Sequence, residues 1–210
     1  MKNIAVFDID GTILKGNEVA IPAFSKIAKE MGLKVTEKEI KGMMGEKQSA
    51  IEKKLGISDP VLAKKVFERI NALEIEFIYE LKCVYEGLVD CINKLYDEGV
   101  IIAVASMATA AYINAVLEVT GLKDKVSFIR HDEEGKTKSH LVSEILKESG
   151  AERAVMVGDR KFDKKAAEDC GIPFVACLYG GAPDEVIDSK IVAKTGLDVY
   201  EKIKIALNLK

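Results

Sequence analysis

Near its N-terminus the chain reads Ile4-Ala5-Val6-Phe7-Asp8-Ile9-Asp10-Gly11-Thr12, and this stretch decides the fold. Its first four residues form a short apolar run of the kind found in buried parallel strands. Asp8 and Asp10 follow directly, and alternate residues of an extended segment point the same way, so both carboxylates start on one side. Open parallel sheets bind ligands at the carboxyl ends of their strands. An ordinary turn explains the stretch equally well when it is taken alone, since Asp, Gly and Thr all favour turns.

Further apolar runs of the same type recur along the chain and alternate with helical patterns. Strong runs cover residues 101–105, 154–157 and 173–176, and weaker ones cover 126–128 and 191–193. Helical patterns cover residues 85–99, 138–149, 162–170 and 197–207. Short buried strands separated by helices predict an α/β fold with a doubly wound, Rossmann-like parallel sheet.

One block, from about residue 14 to residue 84, breaks this alternation because it contains no convincing strand. Phe24, Ile27, Ala28 and Met31 form one apolar stripe, and a second stripe runs at helical spacing from Leu62 to Leu81. The pattern of residues 36–39 is a capping box, and Ser58 and Pro60 stand where an N-cap and an early-turn proline belong. We therefore predict an inserted helical domain over residues 15–84, and a core domain over residues 1–14 and 85–210. We interpret the stripes as the insertion's own core rather than as a protein-binding face.

A second acidic loop follows the strand predicted at 154–157. It reads Gly158-Asp159-Arg160-Lys161-Phe162-Asp163, and positions i and i+4 share a face at the start of a helix. Alone, this loop would fit an N-cap aspartate and a surface charge. If the two acidic loops are neighbours, up to four carboxylates meet, and two like charges about 4 Å apart repel by about 4 kcal/mol at an effective dielectric of 20. A hard divalent cation such as Mg²⁺ would make such a cluster tolerable, and Mg²⁺ suits a phosphate substrate.

Two further side chains are expected at the same edge of the sheet. Ser106 follows the strand predicted at 101–105 and offers a hydroxyl group. Lys138 begins the helix that leads to the Asp159 strand and offers a positive charge to a phosphate and to Asp8. Each has an ordinary surface explanation, and Lys136 competes with Lys138 for the role of the cation.

Composition excludes several classes of protein. The 210 residues carry a net charge of −3 without a long basic run, which argues against a nucleic-acid binder. No apolar stretch approaches the roughly 18 residues that a membrane span needs. The N-terminus reaches acidic residues too early for a secretory signal, and the four cysteines form no C-x-x-C pair. We expect a cytoplasmic protein with buried free thiols.

Taken together and in this order, the four segments resemble the haloacid dehalogenase superfamily of phosphohydrolases. The motifs that carry the resemblance are Asp8 to Thr12, Ser106, Lys138, and Gly158-Asp159 with Asp163. The helical insertion after the first motif is similar to the helical cap of the phosphoglycolate phosphatase and β-phosphoglucomutase type. Two departures stand out. Met107 follows Ser106 where the family more often has Asn, and the Lys-Pro-x-Pro form of the third motif is missing.

The resemblance implies a role for each of these residues. Asp8 would attack phosphorus and become an aspartyl phosphate, and Asp10 would act as general acid and then as general base. Mg²⁺ would be held by Asp8, the backbone carbonyl of Asp10 and Asp159, with Asp163 in support. The phosphate-binding set would be Thr12, which also helps hold its loop, Ser106 and Lys138. The substrate would be a small phosphorylated metabolite.

The segment Gly42-Met43-Met44-Gly45-Glu46-Lys47 is the best candidate for reading the leaving group. Gly45 would let backbone approach a ligand, and Lys47 could meet an anionic group. An ordinary helix-to-helix turn explains the segment as well. It resembles the Met-Gly-x-x-Lys loop of phosphonoacetaldehyde hydrolases, but the spacing here is one residue shorter and that family lacks an acid at the Asp10 position. A phosphonatase is therefore disfavoured.

Hydrolysis of a phosphate monoester is the preferred function, and a phosphomutase of the β-phosphoglucomutase type is the nearest alternative. Dehalogenase chemistry needs neither Asp10 nor the metal cluster. A phospho-acceptor module similar to a response-regulator receiver also uses Asp, Mg²⁺, Ser or Thr and Lys. It would place its acceptor on a later strand and carry no helical insertion.

Overall fold

The computed structural model describes residues 1–43, 46, 48–133 and 135–209, and a six-stranded parallel sheet lies at its centre. The strands are β1 (Asn3–Phe7), β2 (Ile101–Ala105), β3 (Val126–Arg130), β4 (Arg153–Gly158), β5 (Phe174–Cys177) and β6 (Ile191–Ala193). Their order is β3-β2-β1-β4-β5-β6, the doubly wound arrangement. Both the strong and the weak strand predictions are confirmed.

Helices occupy most of the rest of the described chain. They are α1 (Gly16–Glu30), α2 (Glu37–Met43), α3 (Gln48–Leu55), α4 (Pro60–Leu81), α5 (Leu88–Asp97), α6 (Ala110–Thr120), α7 (Lys138–Ser149), α8 (Lys161–Asp169) and α9 (Val199–Leu207). The predicted helix 138–149 has the bounds of α7. By contrast, α5 begins three residues later than predicted, because Gly87 before it has φ +78°. Residues 196–198 form a 3₁₀ turn, so α9 begins at Val199.

The sheet is covered on both faces, and the residues of β1 alternate between the two cores. Ala5 and Phe7 pack with α5, α6 and α9, whereas Ile4 and Val6 pack with α7 and α8. All four side chains are fully buried. This two-residue period explains why the strand reads as a continuous apolar run, and it confirms the predicted α/β fold with a doubly wound sheet.

Helices α1 to α4 lie between β1 and α5 in the chain, and they share a separate apolar cluster. Its members include Phe24, Ile27 and Ile70, whereas Leu81 at the end of the predicted stripe is 49% exposed. The capping box at the start of α2 is confirmed, since Thr36 and Glu39 each accept a hydrogen bond from the other's backbone N–H.

The expectation that Ser58 caps α4 is wrong. Pro60 is the first residue of α4, so the preceding residue, Asp59, is the N-cap. Its carboxylate accepts a hydrogen bond from the backbone N–H of Val61 at 2.9 Å.

The chain enters and leaves this helical segment at one place. Leu14 and Val84 form an isolated antiparallel bridge. The backbone N–H of Lys15 donates to the carbonyl of Cys83 at 2.7 Å, and that of Tyr85 donates to the carbonyl of Ile13 at 3.1 Å. The two crossing segments are therefore hydrogen-bonded to each other.

Two general expectations concern cysteines and membrane spans. All four cysteines are free thiols, and Cys91 and Cys177 are buried as expected. The expectation of buried thiols is wrong for Cys83 and Cys170, which are partly exposed. Among the helices of the described residues, none has both the length and the apolar character that crossing a membrane requires.

Candidate active site

The register of the sheet brings the sequence motifs to one edge. Phe7 of β1 pairs with Val104 of β2 on one side and with Val157 of β4 on the other. The segments that follow these three strands therefore emerge side by side, and the backbone N–H of Asp8 donates to the carbonyl of Val157 at 3.0 Å. The strand order reverses between β1 and β4, which is where doubly wound sheets bind ligands.

Three buried carboxylates meet at this point. Asp8, Asp159 and Asp163 each offer an oxygen atom, and these atoms all lie within 4.8 Å of one another. None of the three side chains is appreciably exposed. The structure thus brings the two acidic loops together, as the sequence predicted for neighbouring strands.

Lys138 lies within this cluster and provides its positive charge. Its Nζ donates to Asp8 Oδ1 at 2.6 Å and to Asp163 Oδ1 at 2.5 Å. Burial would lower the pKa of the Lys138 ammonium, but Asp163 and Asp8 outweigh it, and the pKa is raised. Lys136 is instead paired with Glu133 and Glu144, each at 2.7 Å. Of the two lysines, Lys138 is therefore the one whose side chain lies in the carboxylate cluster.

One lysine leaves the cluster short of positive charge. Burial, partly offset by Lys138, raises the pKa of Asp8 well above its usual value, and burial together with Asp163 raises the pKa of Asp159 to about 7. Asp159 Oδ2 accepts a hydrogen bond from Gly181 N–H at 2.6 Å, whereas its buried Oδ1 has no hydrogen-bond partner. A buried, unpaired carboxylate oxygen beside two further carboxylates fits a hard divalent cation.

Glycines allow the backbone to pack closely against these carboxylates. A Cβ atom added to Gly11 would lie 2.1 Å from Asp159 Oδ2, and one added to Gly158 would lie 2.3 Å from Asp163 Cγ. Gly11 also has φ +79°, a conformation that other residues adopt at a cost. These contacts explain why both acidic motifs contain a glycine.

Asp10 lies outside the three-carboxylate cluster, with its side chain held by α6. The Tyr112 hydroxyl donates to Asp10 Oδ1 at 2.5 Å. Burial raises the pKa of Asp10 to about 6, against the opposing effects of Tyr112 and Lys138. A carboxyl group of this kind can carry a proton near neutral pH, which a general acid needs.

The remaining predicted residues differ in where they lie. Ser106 is buried and borders the active-site cavity, where its Oγ accepts a hydrogen bond from Ala108 N–H at 3.1 Å. Thr12 is fully buried away from the cavity wall, and its Oγ1 has no hydrogen-bond partner. Gly45 and Lys47 lie outside the described residues.

The cavity itself has a volume of about 190 Å³ and lies between the sheet edge and the inserted helices. Asp8, Asp10 and Lys138 border it on the core side, and one face of α4 borders it on the other. Residues that sequence reasoning did not single out at this site are Tyr112, Gly181 and Glu74. The pair Gly180-Gly181 after a buried strand was a usable signal, whereas Tyr112 and Glu74 sit in helical patterns that carry none.

A doubly wound sheet with buried carboxylates at its switch point and inserted helices beside them is the architecture of the haloacid dehalogenase-like hydrolases. The family model described as "Haloacid dehalogenase-like hydrolase" matches residues 5–177. The chain belongs to this family, as the sequence motifs indicated.

Known proteins similar to the chain include one curated protein and two solved structures. A protein of Caldanaerobacter subterraneus subsp. tengcongensis named "Putative pyrophosphatase PpaX" is 24% identical, over 98% of this chain and 95% of its own length. The β-phosphoglucomutase of Clostridium difficile is 17% identical with a TM-score of 0.83, over 99% of this chain and 98% of that one. CbbY from Rhodobacter sphaeroides in complex with phosphate is 17% identical with a TM-score of 0.82, over 95% and 96% of the two chains. At these identities, the two structures establish a shared fold.

Proposed function

We propose that the protein is a Mg²⁺-dependent phosphatase that hydrolyses small-molecule phosphate monoesters through an aspartyl phosphate on Asp8. The observation that carries this proposal is the position of Asp8. Its buried carboxylate lies at the switch point of the sheet, bound by Lys138, beside two further carboxylates and on the wall of a cavity that also reaches Asp10.

In the first step, a carboxylate oxygen of Asp8 forms a bond to phosphorus while the bond from phosphorus to the ester oxygen breaks. Asp10 donates its proton to the departing oxygen, which leaves as an alcohol. In the second step, Asp10 takes a proton from water, the water oxygen attacks phosphorus, and the bond to Asp8 breaks. Inorganic phosphate is released and Asp8 and Asp10 return to their starting states.

The remaining site residues position and neutralise the phosphoryl group. Ser106 and Lys138 would bind its oxygens, and Thr12, buried behind the first loop, would support that loop. Mg²⁺ would be held by Asp8, the backbone carbonyl of Asp10 and Asp159. Asp163 would support these ligands, since it accepts hydrogen bonds from Lys138 Nζ and from the Arg160 N–H. Bound Mg²⁺ supplies neutralisation of the repulsion between an anionic carboxylate and an anionic phosphate.

We assign residues 15–84 to a cap domain over a core domain of residues 1–14 and 85–210. The separate apolar cluster of the inserted helices and the Leu14–Val84 bridge support this division. The cap would exclude water and contact the leaving group. A role for Gly45 and Lys47 in reading the substrate remains a proposal that rests on the sequence.

A phosphomutase is the second candidate, supported by the shared fold with β-phosphoglucomutase. It would use Asp8 and Asp10 in the same first step and then return the phosphoryl group to a sugar instead of water. Product analysis separates the two functions, because only a phosphatase releases inorganic phosphate in amounts equal to the substrate consumed.

The experiment that tests the proposal measures p-nitrophenyl phosphate turnover with Mg²⁺ and then with EDTA. We expect many turnovers per protein with Mg²⁺ and almost none with EDTA, whereas a phospho-acceptor module would stop after one. Asp8→Asn should lower turnover by several orders of magnitude and leave the circular dichroism spectrum unchanged. Near-normal turnover in that variant would refute the assignment of the nucleophile. A screen of phosphate release from small metabolites, with pyrophosphate included, would then identify the substrate.

A further inference from the structure

One face of α4 forms the cap side of the active-site cavity. Phe67, Ile70, Asn71 and Glu74 all border the cavity, and their spacing of three, one and three residues places them on one side of a helix. Phe67 and Ile70 are apolar and Asn71 is neutral. Glu74 is therefore the ionisable residue that this face of α4 presents to the cavity.

Side-chain hydrogen bonds connect α4 to α6 and to Thr109, the N-cap residue of α6, on both sides of Glu74. Asn71 Oδ1 accepts from the Thr109 hydroxyl at 2.8 Å. Further along the helix, the Tyr79 hydroxyl donates to Glu118 Oε2 at 2.6 Å. The same helix α6 carries Tyr112, which holds Asp10. The positions of Glu74 and Asp10 are thus set by one pair of packed helices.

Within the part of the chain that the structure describes, Glu74 has no partner of opposite charge. No residue in the described part of the chain forms an ion pair or a hydrogen bond with its carboxyl group. Burial, and then the negative charge of Asp10, raise the pKa of Glu74 to about 8. Of the described cations that border the cavity, Lys138 is bound to two aspartates, Arg160 is bound to Glu185, and Lys41 is solvent-exposed.

We propose that Glu74 binds a positively charged ammonium group on the leaving group, so that the preferred substrates are phosphate monoesters of amino alcohols or amino sugars. This inference rests on the proposed phosphatase function. Asp10, which would protonate the ester oxygen, and Glu74 both border the same cavity. The recognised ammonium group should therefore lie near the ester oxygen.

The choice of an ammonium group over other groups follows from charge. At pH 7, a carboxyl group with a pKa of about 8 is protonated about ten times as often as it is ionised, so ionising it costs free energy. An ammonium ion offsets this cost, because an opposite charge at contact distance favours the ionised carboxylate. A neutral hydroxyl brings no charge to offset it. A carboxylate or a second phosphate would place a further negative charge beside Asp10 and would make the ionisation of Glu74 still less favourable.

The test uses three substrates of similar size whose leaving groups differ in charge: 2-aminoethyl phosphate, 2-hydroxyethyl phosphate and 2-phosphoglycolate. For the Mg²⁺-loaded wild-type protein at pH 7, we expect kcat/KM to fall in that order. We expect kcat/KM for 2-aminoethyl phosphate to exceed kcat/KM for 2-hydroxyethyl phosphate by about tenfold or more.

Variants of α4 assign this preference to Glu74. In Glu74→Gln, the ratio of kcat/KM for 2-aminoethyl phosphate to kcat/KM for 2-hydroxyethyl phosphate should be close to one. Glu74→Asp keeps the carboxyl group and should retain part of the wild-type preference for the amine. Glu76→Gln removes an exposed acid from the same helix and should keep the wild-type ratio. Circular dichroism checks that every variant is folded.

Two results would overturn the inference: a wild-type preference for the alcohol or for phosphoglycolate, or an amine preference that survives in Glu74→Gln. Failure of the proposed function has a different signature. In that case none of the three substrates, nor p-nitrophenyl phosphate, would be turned over by the wild-type protein.

Discussion

Asp8 and Asp10 are two residues apart, but their surroundings differ. Asp8 is bonded to Lys138 and lies within the carboxylate cluster, whereas Asp10 is bonded to the Tyr112 hydroxyl outside it. A carboxylate next to a fixed ammonium is suited to attack an anionic phosphate. A carboxyl group with a pKa near 6 is suited to exchange protons. This division of surroundings supports different roles for the two residues.

At the scale of a residue, the role of Asp10 can be tested through the leaving group. We expect Asp10→Asn to lower kcat/KM for 2-hydroxyethyl phosphate by about 10²–10⁴, the range for loss of a general acid. The loss should be smaller for p-nitrophenyl phosphate, because p-nitrophenolate leaves without a proton. Steady-state kinetics on both substrates measures the difference, and equal losses would contradict the role as a general acid.

Gly11 offers a second test at this scale. Gly11→Ala places a methyl group against Asp159 Oδ2 and also forces Ala to adopt φ +79°. The backbone cost alone is about 1–2 kcal/mol. Gly99→Ala is the matched control, because Gly99 has φ +81° but no atom within 4 Å of the added Cβ.

Denaturant unfolding should show that both glycine variants are destabilised by their backbone conformation, and that Gly11→Ala is destabilised further because its methyl group also meets Asp159. Only Gly11→Ala should also need more Mg²⁺ for half-maximal turnover, by about tenfold. Equal Mg²⁺ requirements in the two variants would show that the contact between Gly11 and Asp159 does not shape the metal site.

At the scale of an element, Glu185 ties the turn after β5 to the start of α8. Its Oε2 accepts from Arg160 Nε at 2.9 Å and from Lys161 N–H at 3.1 Å. Burial would raise the pKa of Glu185, but these hydrogen bonds outweigh it and lower the pKa to about 2. The turn that is held in this way follows Gly181, whose N–H binds Asp159.

We expect Glu185→Gln to lower the free energy of unfolding by about 1–2 kcal/mol at pH 7. Because the pKa is lower in the folded state, the stabilising contribution is present above about pH 4.5 and is lost as the pH falls toward 2. The difference between wild type and variant should therefore shrink from pH 5 to pH 3 in denaturant unfolding. Asp184→Asn, at an exposed position in the same turn, should show no such difference.

Elements with strong local signals were predictable. Apolar runs in the sequence predicted the strands. Helix α7 has the bounds that its sequence predicted, because Gly150 ends it with φ +59°. Helices α3 and α6 were not predicted. Helix α3 spans only eight residues and contains no fully buried one, and its apolar contacts are limited to the partly buried Ile51 and Leu55. The N-cap of α4 was misplaced by one residue because Ser58 and Asp59 are both good capping residues, and only the position of Pro60 separates them.

The site shows the same division between local signals and contacts across the fold. Asp8, Asp159 and Asp163 could be brought together from sequence, because parallel strands end at a common edge. Lys136 and Lys138 are only two positions apart, so the sequence could not show which of the two side chains reaches Asp8. In the structure that side chain is Lys138. Tyr112 and Glu74 come from helices whose neighbours are set by packing, so no local pattern could reveal their approach to Asp10.

At the scale of the whole molecule, folding and metal binding should be linked. Mg²⁺ at about ten times its dissociation constant should raise the free energy of unfolding by about 1.4 kcal/mol and Tm by about 3–6 °C. Asp159→Asn should abolish this rise in Tm, as measured by thermal unfolding with Mg²⁺ and with EDTA. In EDTA the variant should be at least as stable as wild type at pH 8, since it removes one of three buried like charges. A Tm increase equal to that of wild type would contradict a metal site at Asp159.

The Leu14–Val84 bridge has a consequence for how this polypeptide can be rebuilt. Because the segments that enter and leave the inserted helices are hydrogen-bonded to each other at Leu14 and Val84, a two- or three-residue hairpin turn could join them in place of the inserted helices. The shortened chain would retain all six strands and the aspartates at their ends. We expect this shortened protein to bind Mg²⁺ still but to lose its selection among leaving groups. Phosphate binding would then depend on the sheet domain alone, and the choice of alcohol on the inserted helices.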